Sequence, residues 1–253
     1  MVFREHPGLF DVQDPRVSVW RYMDLSKYLD LLQTSELHMT RVDTMVDQWE
    51  GVYGQANAAV RPFIYGAEIA NVVSHSLRAA KRHARTHFYL NCWNIGRNES
   101  DALWHQYASG PVGVALKSTI GRLKESLPSR GGPAMFGSTV KYVDYDETFI
   151  PEDNILGSLI HKREHFQHEN EYRLIANWEP EVFKVENGIA VESASDDPPK
   201  VLRVPVDLAV LIEQVYVSPE AHDWQRAVVE RVSSKYRADL RVVRSRMASG
   251  PPA

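Results

Sequence analysis

The sequence predicts an α+β fold: mixed, largely antiparallel sheets with flanking helices. Three observations carry this. Alternating, β-rich segments recur along the chain. Between them lie stretches whose apolar residues are spaced three and four apart, the period of one helix face. The two kinds are mixed without the strict strand–helix–strand rhythm of a doubly wound sheet, and neither GxGxxG nor GxxxxGK[ST] occurs, so no dinucleotide fingerprint or P-loop is present. At 253 residues, one domain is favoured over two: an arm over 1–16, a single domain over 17–245 and a flexible tail over 246–253.

Val17 to Tyr22 alternates and predicts the first strand, and Asp24 then caps a helix carrying Leu25, Tyr28, Leu29, Leu31 and Leu32. Leu37 to Thr40 is a second short strand. Residues 43–60 read as loop and 62–84 as a helix ending in the basic cluster Arg78, Lys81, Arg82, His83 and Arg85. His87 to Asn94 is a strand, Glu99 to Tyr107 a short helix, and Gly110-Pro111 turns into the strand Val112 to Lys117. Ser118 caps a helix through Leu127, and 128–138 is loop by composition. A strand at Val140 to Tyr145, a helix from Asn154 to about Phe166 and a strand at Glu171 to Trp178 follow. Residues 180–200 are acidic and loose, broken by Asp196-Asp197-Pro198-Pro199. Strands at 201–206 and 211–217, a helix from Pro219 to about Tyr236 with proline in its first turn, and a last strand at 240–243 complete the chain.

Hydrophobic residues at 43% and charged residues at 25% are ordinary for a globular chain and argue against disorder. The single cysteine, Cys92, excludes an internal disulfide and suits a reducing, cytoplasmic setting. The first residues lack the apolar core of a secretory signal, and no apolar run approaches the roughly 20 residues of a membrane span. A net charge of −4 gives no global attraction to nucleic acid.

Three places carry chemistry. Arg21 stands between Trp20 and Tyr22 on a strand, so it faces away from both. A guanidinium there is either a surface ion-pair partner or a clamp for phosphate or ribose oxygens. Cys92-Trp93-Asn94 closes a strand, and Glu99, Ser100, Trp104 and Tyr107 follow on a helix that pairs Ser100 with Trp104 and Leu103 with Tyr107. These aromatics make core or a stacking wall, and Cys92 has no base within sequence reach. Glu169 and Glu171, two apart at a strand start, face one side, and their repulsion calls for a cation or hydroxyl between them. The plain reading is a solvated strand end paired with Lys162 or Arg163. His161, His165 and His168 with Glu164 offer a rival, since on one helix their spacing suits zinc. Asp47 and Glu50 form a further acidic pair, as caps, loop anchors or substrate contacts.

With these residues in view, the chain resembles a bacterial family catalogued as domain of unknown function 2971. The matching pieces are VWRYMDLSKYLDLLQTSELHMTRVD, DQWEG, FYLNCWN with NESDALWHQY, GVALKST and HKREHFQHENEYRLI, in order across residues 17–176, with IEQVYVSPEA at 212–221. More distantly, an arginine on the first strand and a Glu-x-Glu at a later strand start are similar to ADP-ribosyltransferases. That resemblance implies a split β core and NAD as substrate, with no metal. It makes Arg21 the grip on ribose and pyrophosphate, Glu171 the catalytic carboxylate and Glu169 a neighbour of the acceptor. Asn91-Cys92-Trp93 would stand where those enzymes carry Ser-Thr-Ser, from which it departs, and Tyr22, Cys92, Trp93 and Asn94 would surround the cofactor, with Tyr22 or Trp93 stacked on nicotinamide. Asp47, Glu50, Glu99, Ser100, Trp104 and Tyr107 would face the substrate. A carboxylate accepting the ribose 2′-OH would stabilise an oxocarbenium-like sugar, a contact worth about 2.7–4 kcal/mol. The acceptor would be a nucleic acid or a protein, in a toxin or antiphage-defence setting with an antitoxin as partner. The alternatives are a non-catalytic nucleotide- or partner-binding module, and a metal-dependent nuclease or hydrolase using the 161–168 histidines.

Overall fold

The computed structural model describes residues 2–110, 112–129, 134–177, 183–186, 189–192, 198–237 and 239–248. The order is β1 (Val2–Phe3), β2 (Ser18–Asp24), α1 (Leu25–Thr34), β3 (Glu36–Arg41), α2 (Gln55–Tyr65), α3 (Ala67–His87), β4 (Phe88–Ile95), α4 (Asp101–Tyr107), β5 (Gly113–Thr119) and α5 (Ile120–Glu125). There follow β6 (Ala134–Thr139), β7 (Lys141–Val143), β8 (His161–Arg163), β9 (Glu171–Asn177), β10 (Phe183–Glu186), β11 (Ile189–Glu192), β12 (Val201–Pro205), α6 (Leu208–Leu211), β13 (Gln214–Val217), α7 (Asp223–Tyr236) and β14 (Val242–Arg244). The α+β class stands: one mixed, mostly antiparallel sheet runs β1-β6-β9-β4-β2-β5-β13-β14, flanked by helices. Only β1/β6 and β13/β14 are parallel within it among the described residues.

The sheet forks at β4. Its end pairs with β2 through Val19–Ile95 and Trp20–Asn94, while its start pairs with β3 through Thr40–Leu90 and Arg41–Tyr89. β12 extends the second branch by pairing with β3. A notch opens between the branches, bridged in sequence by α1. Asp24 starts that helix by accepting a 2.9 Å hydrogen bond from the Lys27 N–H. Ser35, in the left-handed region at φ 54°, ends it by donating to the Leu31 carbonyl. Tyr28, Leu31 and Leu32 are buried against the sheet, and the Tyr28 hydroxyl meets Ser233 Oγ of α7 at 2.7 Å.

Strand alternation divides the core by face. Val19, Met23, Met39, Tyr89, Trp93, Tyr172 and Leu174 pack with α1, α5 and α7 on one face. On the other, Phe88, Leu90 and Ile175 pack with Ala84 of α3, and Trp20, Tyr22 and Ala115 pack with Leu103 and Trp104 of α4. Each fully buried leucine or methionine contributes about 1.5–3 kcal/mol.

Several local expectations are corrected. Residues 43–60 are not all loop, nor is 62–84 one helix: α2 begins at Gln55, and Gly66 at φ 82° separates it from α3, which runs on through His87. The buried positions of α2 are Ala56 and Asn57, small and polar, so its sequence shows no apolar period. His87 is therefore helical, and its ring stacks on His83 at 4.2 Å. Thr119, not Ser118, caps α5; Ser118 is buried and donates to the Leu211 carbonyl. Part of the loop expected over 128–138 is β6, where Gly137 lets the strand pass Tyr172: a Cβ there would lie 2.0 Å from the tyrosine hydroxyl. The helix expected from Asn154 to Phe166 is instead a 3-10 turn (Ile155–Leu159), β8, and a second 3-10 turn (Glu164–Glu169). The last long helix begins at Asp223, with His222 and Gln225 forming a reciprocal cap, so Pro219 precedes it. Parts of the 180–200 stretch, Trp178, Pro111 and residues 249–253 of the tail lie outside the described residues.

Gly54, which precedes α2, sits directly against the next layer: an added Cβ would lie 2.0 Å from the Tyr145 carbonyl oxygen. That oxygen accepts the Ala56 N–H at 3.2 Å. Gly54→Ala is expected to lower stability by about 1–3 kcal/mol, measured as a fall in the urea midpoint with an unchanged m value.

Candidate functional site

The segments DQWEG, NESDALWHQY and HKREHFQHENEYRLI meet at one place, on the α4 face of the sheet. Arg173, in central strand β9, is fully buried. Its Nη1 and Nη2 donate to the two oxygens of Glu50, both at 2.8 Å, and its Nε donates to Glu171 Oε2 at 2.8 Å. Lys162 of β8 donates to Glu171 Oε1 at 2.7 Å and to Glu169 Oε2 at 2.5 Å, and lies 3.4 Å from Glu50 Oε1. The remaining Glu169 oxygen accepts from Gln106 Nε2 at 2.8 Å and Tyr107 Oη at 2.7 Å. Glu50, Glu169, Glu171 and Lys162 are all nearly inaccessible, at 1%, 3%, 4% and 5% exposure.

Local backbone chemistry builds this. Gly51 adopts φ 71° directly after Glu50 and turns the loop inward. Asn170 adopts φ 37°, the left-handed conformation asparagine tolerates, and reverses the chain from the 3-10 turn into β9. The Asn170 and Asn94 amides pin that reversal by donating to the Ile95 and Glu169 carbonyls at 2.7 and 2.8 Å.

Three carboxylates share two cations, and the environment pulls the two expected catalytic acids apart. Burial would raise the Glu171 carboxyl, but Arg173 and then Lys162 overcome it and hold it well below the usual range. Burial, followed by the hydrogen bond and charge of Glu171, raises Glu169 instead. The two carboxyls are thus pushed in opposite directions. Burial also lifts the Cys92 thiol well above its normal value, with Glu171 adding to it, so Cys92 is a neutral thiol rather than a nucleophile. The expected solvated strand end is thus a buried network, with Lys162 as the cation between the acids.

Arg21 does not join this cluster. Trp20 pairs with Asn94 and Asn94 with Glu171, so these three share a face. Arg21, next along β2, projects to the other face, opposite Leu116. The expected convergence of Arg21 and Glu171 on one pocket is therefore corrected: the sheet stands between them. The Arg21 guanidinium lies in the notch, 5.9 Å from the Trp93 ring centre, with one long 3.4 Å hydrogen bond to the His38 carbonyl. Its Nη1 is buried without a partner, and among the described residues no carboxylate pairs with it. Burial lowers its pKa to about 10, opposed slightly by Cys92.

The other expected residues are placed as follows. Tyr22 and Trp93 are buried, at 8% and 1% exposure, and offer no ring face to a nicotinamide. The Tyr22 hydroxyl accepts from the Ser100 N–H at 2.7 Å, while the Ser100 side chain caps α4. Trp104 donates to Glu99 at 3.1 Å and packs edge-on to Tyr22. Asp47 anchors the loop through Arg163 at 2.7 Å. His161 and His168 bond to the Gly157 carbonyl and to Gln106. The strand between the two turns removes the helical spacing that would align the histidines, and no described group of three ligating side chains is placed to hold a metal. Sequence reasoning missed Arg173 as the hub. The signal was available: it stands two residues after Glu171 on the same strand face. No protein-family model, curated protein or solved structure matches this chain.

Arg173→Met would strip Glu50 of both its guanidinium hydrogen bonds and leave Lys162 as the remaining cation beside Glu50 and Glu171, at an expected cost of about 3–5 kcal/mol in denaturant unfolding. The pH dependence has opposite signs at the two acids. Glu171, with its lowered folded pKa, adds stability above the unfolded value of about 4.3 that is lost as pH falls below it. Glu169, raised by folding, destabilises at neutral pH and is relieved as pH falls toward that value. Glu169→Gln is therefore expected to flatten the stability profile between pH 7 and 4.3, while leaving the loss at lower pH.

Proposed function

We propose that this protein is a binding module for an anion of the nucleotide class, with Arg21 as the phosphate grip and NAD as the first ligand to test. The observation that carries this reading is the buried, uncompensated guanidinium. Taking a cation out of water without a counter-ion costs several kcal/mol, and an incoming phosphate would supply two acceptors in the planar geometry that guanidinium matches. The Asn91 amide, which donates to the same His38 carbonyl at 2.8 Å, and the Trp93 ring line the notch beside it. The likeness of the first strand and helix to ADP-ribosyltransferases points to the same ligand class.

ADP-ribosyl transfer through Glu171 has weaker support. Both Glu171 oxygens are taken by Lys162 and Arg173, the side chain is 4% exposed, and it lies across the sheet from Arg21. A carboxylate so buried and already accepting three charged hydrogen bonds is not presented to a ribose 2′-OH. Its role in this reading is to hold the fold of the loop and turn around Arg173.

The test uses Arg21→Met. Removing an unpaired buried charge is expected to leave the ligand-free protein as stable as before, or more stable, while abolishing the thermal shift produced by NAD or by pyrophosphate. A saturating ligand at 100 times its Kd stabilises by about 2.7 kcal/mol. Destabilisation of the ligand-free variant by several kcal/mol would make Arg21 a structural residue and overturn the reading. Nicotinamide release by the wild-type chain, lost in a folded Glu171→Gln variant, would restore the transferase.

A further inference from the structure

The second half of α3 presents a charged face that the fold leaves uncompensated. The helix packs on the body of the protein through Ala84, which is buried with Phe88, Leu90 and Ile175, and Leu77 and Ala80 on the same side are half-buried. Arg78, Lys81, Arg82 and Arg85 flank that side at i, i+3, i+4 and i+7. This spacing gathers them within an arc of about 100° and along about 10 Å of helix axis. Arg78, Lys81 and Arg82 are exposed.

No carboxylate comes to this face. The only acid of α3, Glu68, stands in its first turn, although the whole chain has a net charge of −4. Among the described residues, Arg78, Lys81 and Arg82 form no ion pair. Arg85 donates to the Gln48 carbonyl at 3.1 Å and to Gln48 Oε1 at 3.3 Å, a neutral partner that places its charge without cancelling it. Partial burial and then the charge of Arg85 lower the Lys81 ammonium pKa. The helix dipole accounts for Arg85 alone, because its attraction for cations fades within the last turn and the other three stand before that turn. Like charges three and four apart weaken a helix, so the fold carries a repulsion here that a polyanion would relieve.

We propose that this face of α3 docks on the phosphate backbone of a nucleic-acid duplex. A duplex sets phosphates about 3.4 Å apart along the axis of each strand, so about three lie opposite the stripe. The stripe holds no aromatic ring on which the bases of a single strand would stack. Trp49, next to Gln48, already packs against Tyr145 and under the Arg163 guanidinium. The stripe also lacks the apolar centre that protein interfaces bury, whereas surfaces that meet DNA are polar and positively charged. This surface does not depend on the Arg21 reading.

Fluorescence anisotropy of a labelled DNA duplex of about two helical turns, titrated with the full chain from about 50 to 200 mM salt, tests it. Three or four phosphate contacts predict that log K falls against log salt with a slope of about −3. The variant Arg78→Gln/Lys81→Gln/Arg82→Gln changes exposed positions to another good helix former. It should keep the wild-type circular dichroism, weaken binding at least tenfold at the lower salt and reduce the slope to about −1. Lys200→Gln/Arg231→Gln/Lys235→Gln removes the same charge from exposed positions elsewhere and should change affinity less than twofold. No binding at the lower salt, equal loss in the two triple variants, or a single strand of the same sequence binding more tightly than the duplex overturns the proposal. Displacement of the duplex by polyglutamate at equal charge also overturns it, and makes the face a site for an acidic protein.

Discussion

A guanidinium in the middle of a central strand is tolerable only if carboxylates come to it. Arg173 has a fully buried side chain and donates to both oxygens of Glu50, to both of Glu171 and to the Leu159 carbonyl. Two segments from elsewhere in the sequence must therefore close on β9: the loop carrying Glu50 and the turn ending at Leu159. Lys162 extends the demand to β8 and to Glu169, and Glu169 extends it to α4 through Gln106 and Tyr107. The network specifies how irregular chain packs on a regular sheet. Its value lies in that specificity more than in net energy, since desolvation offsets much of the attraction between buried charges.

The sheet also separates two kinds of arginine. Arg173 is saturated, and Arg21 is nearly bare. Composition does not distinguish them, and neither does propensity, because both sit on β-strands beside aromatic residues. What distinguishes them is the face each occupies. The α4 face carries Glu171, Glu169 and Glu50, while the face opposite carries valine, leucine and methionine. An arginine placed among those has no protein counter-ion to find.

The elements legible in the sequence were those with strong periods: β2 and α1 with the Asp24 cap, β4, β5, β9 and the hydrophobic stripe of α1. Elements whose buried side is small or polar were hidden. The buried residues of α2 are Ala56 and Asn57, and Asn57 is held by bonds to Ile150 and Glu152 nearly a hundred positions away. β6 was hidden by glycine and proline around it, although Gly137 serves a strand. The stretch 154–169 has a helical pattern of apolar residues but is bent into turns by contacts with β7 and β9 that no local window contains. At the site, the grouping was legible only in part. Glu169, Glu171, Glu50 and Tyr107 do come together, because their segments are tied by charge. Arg21 does not, because facing across a sheet depends on register through an intervening strand, and register is a long-range fact.

The fork at β4 has a mechanical consequence. β2 is joined to β5 along seven residue pairs and β4 to β9 along seven. The ladder between the two halves of the sheet, however, has just two described pairs, Val19–Ile95 and Trp20–Asn94, with the Gly96 N–H donating to the Ser18 carbonyl beside them. A breathing motion that widens this seam gives up two rungs of a ladder rather than seven, and it opens on the side where Arg21 waits. A two-rung seam and a buried, poorly satisfied cation coincide.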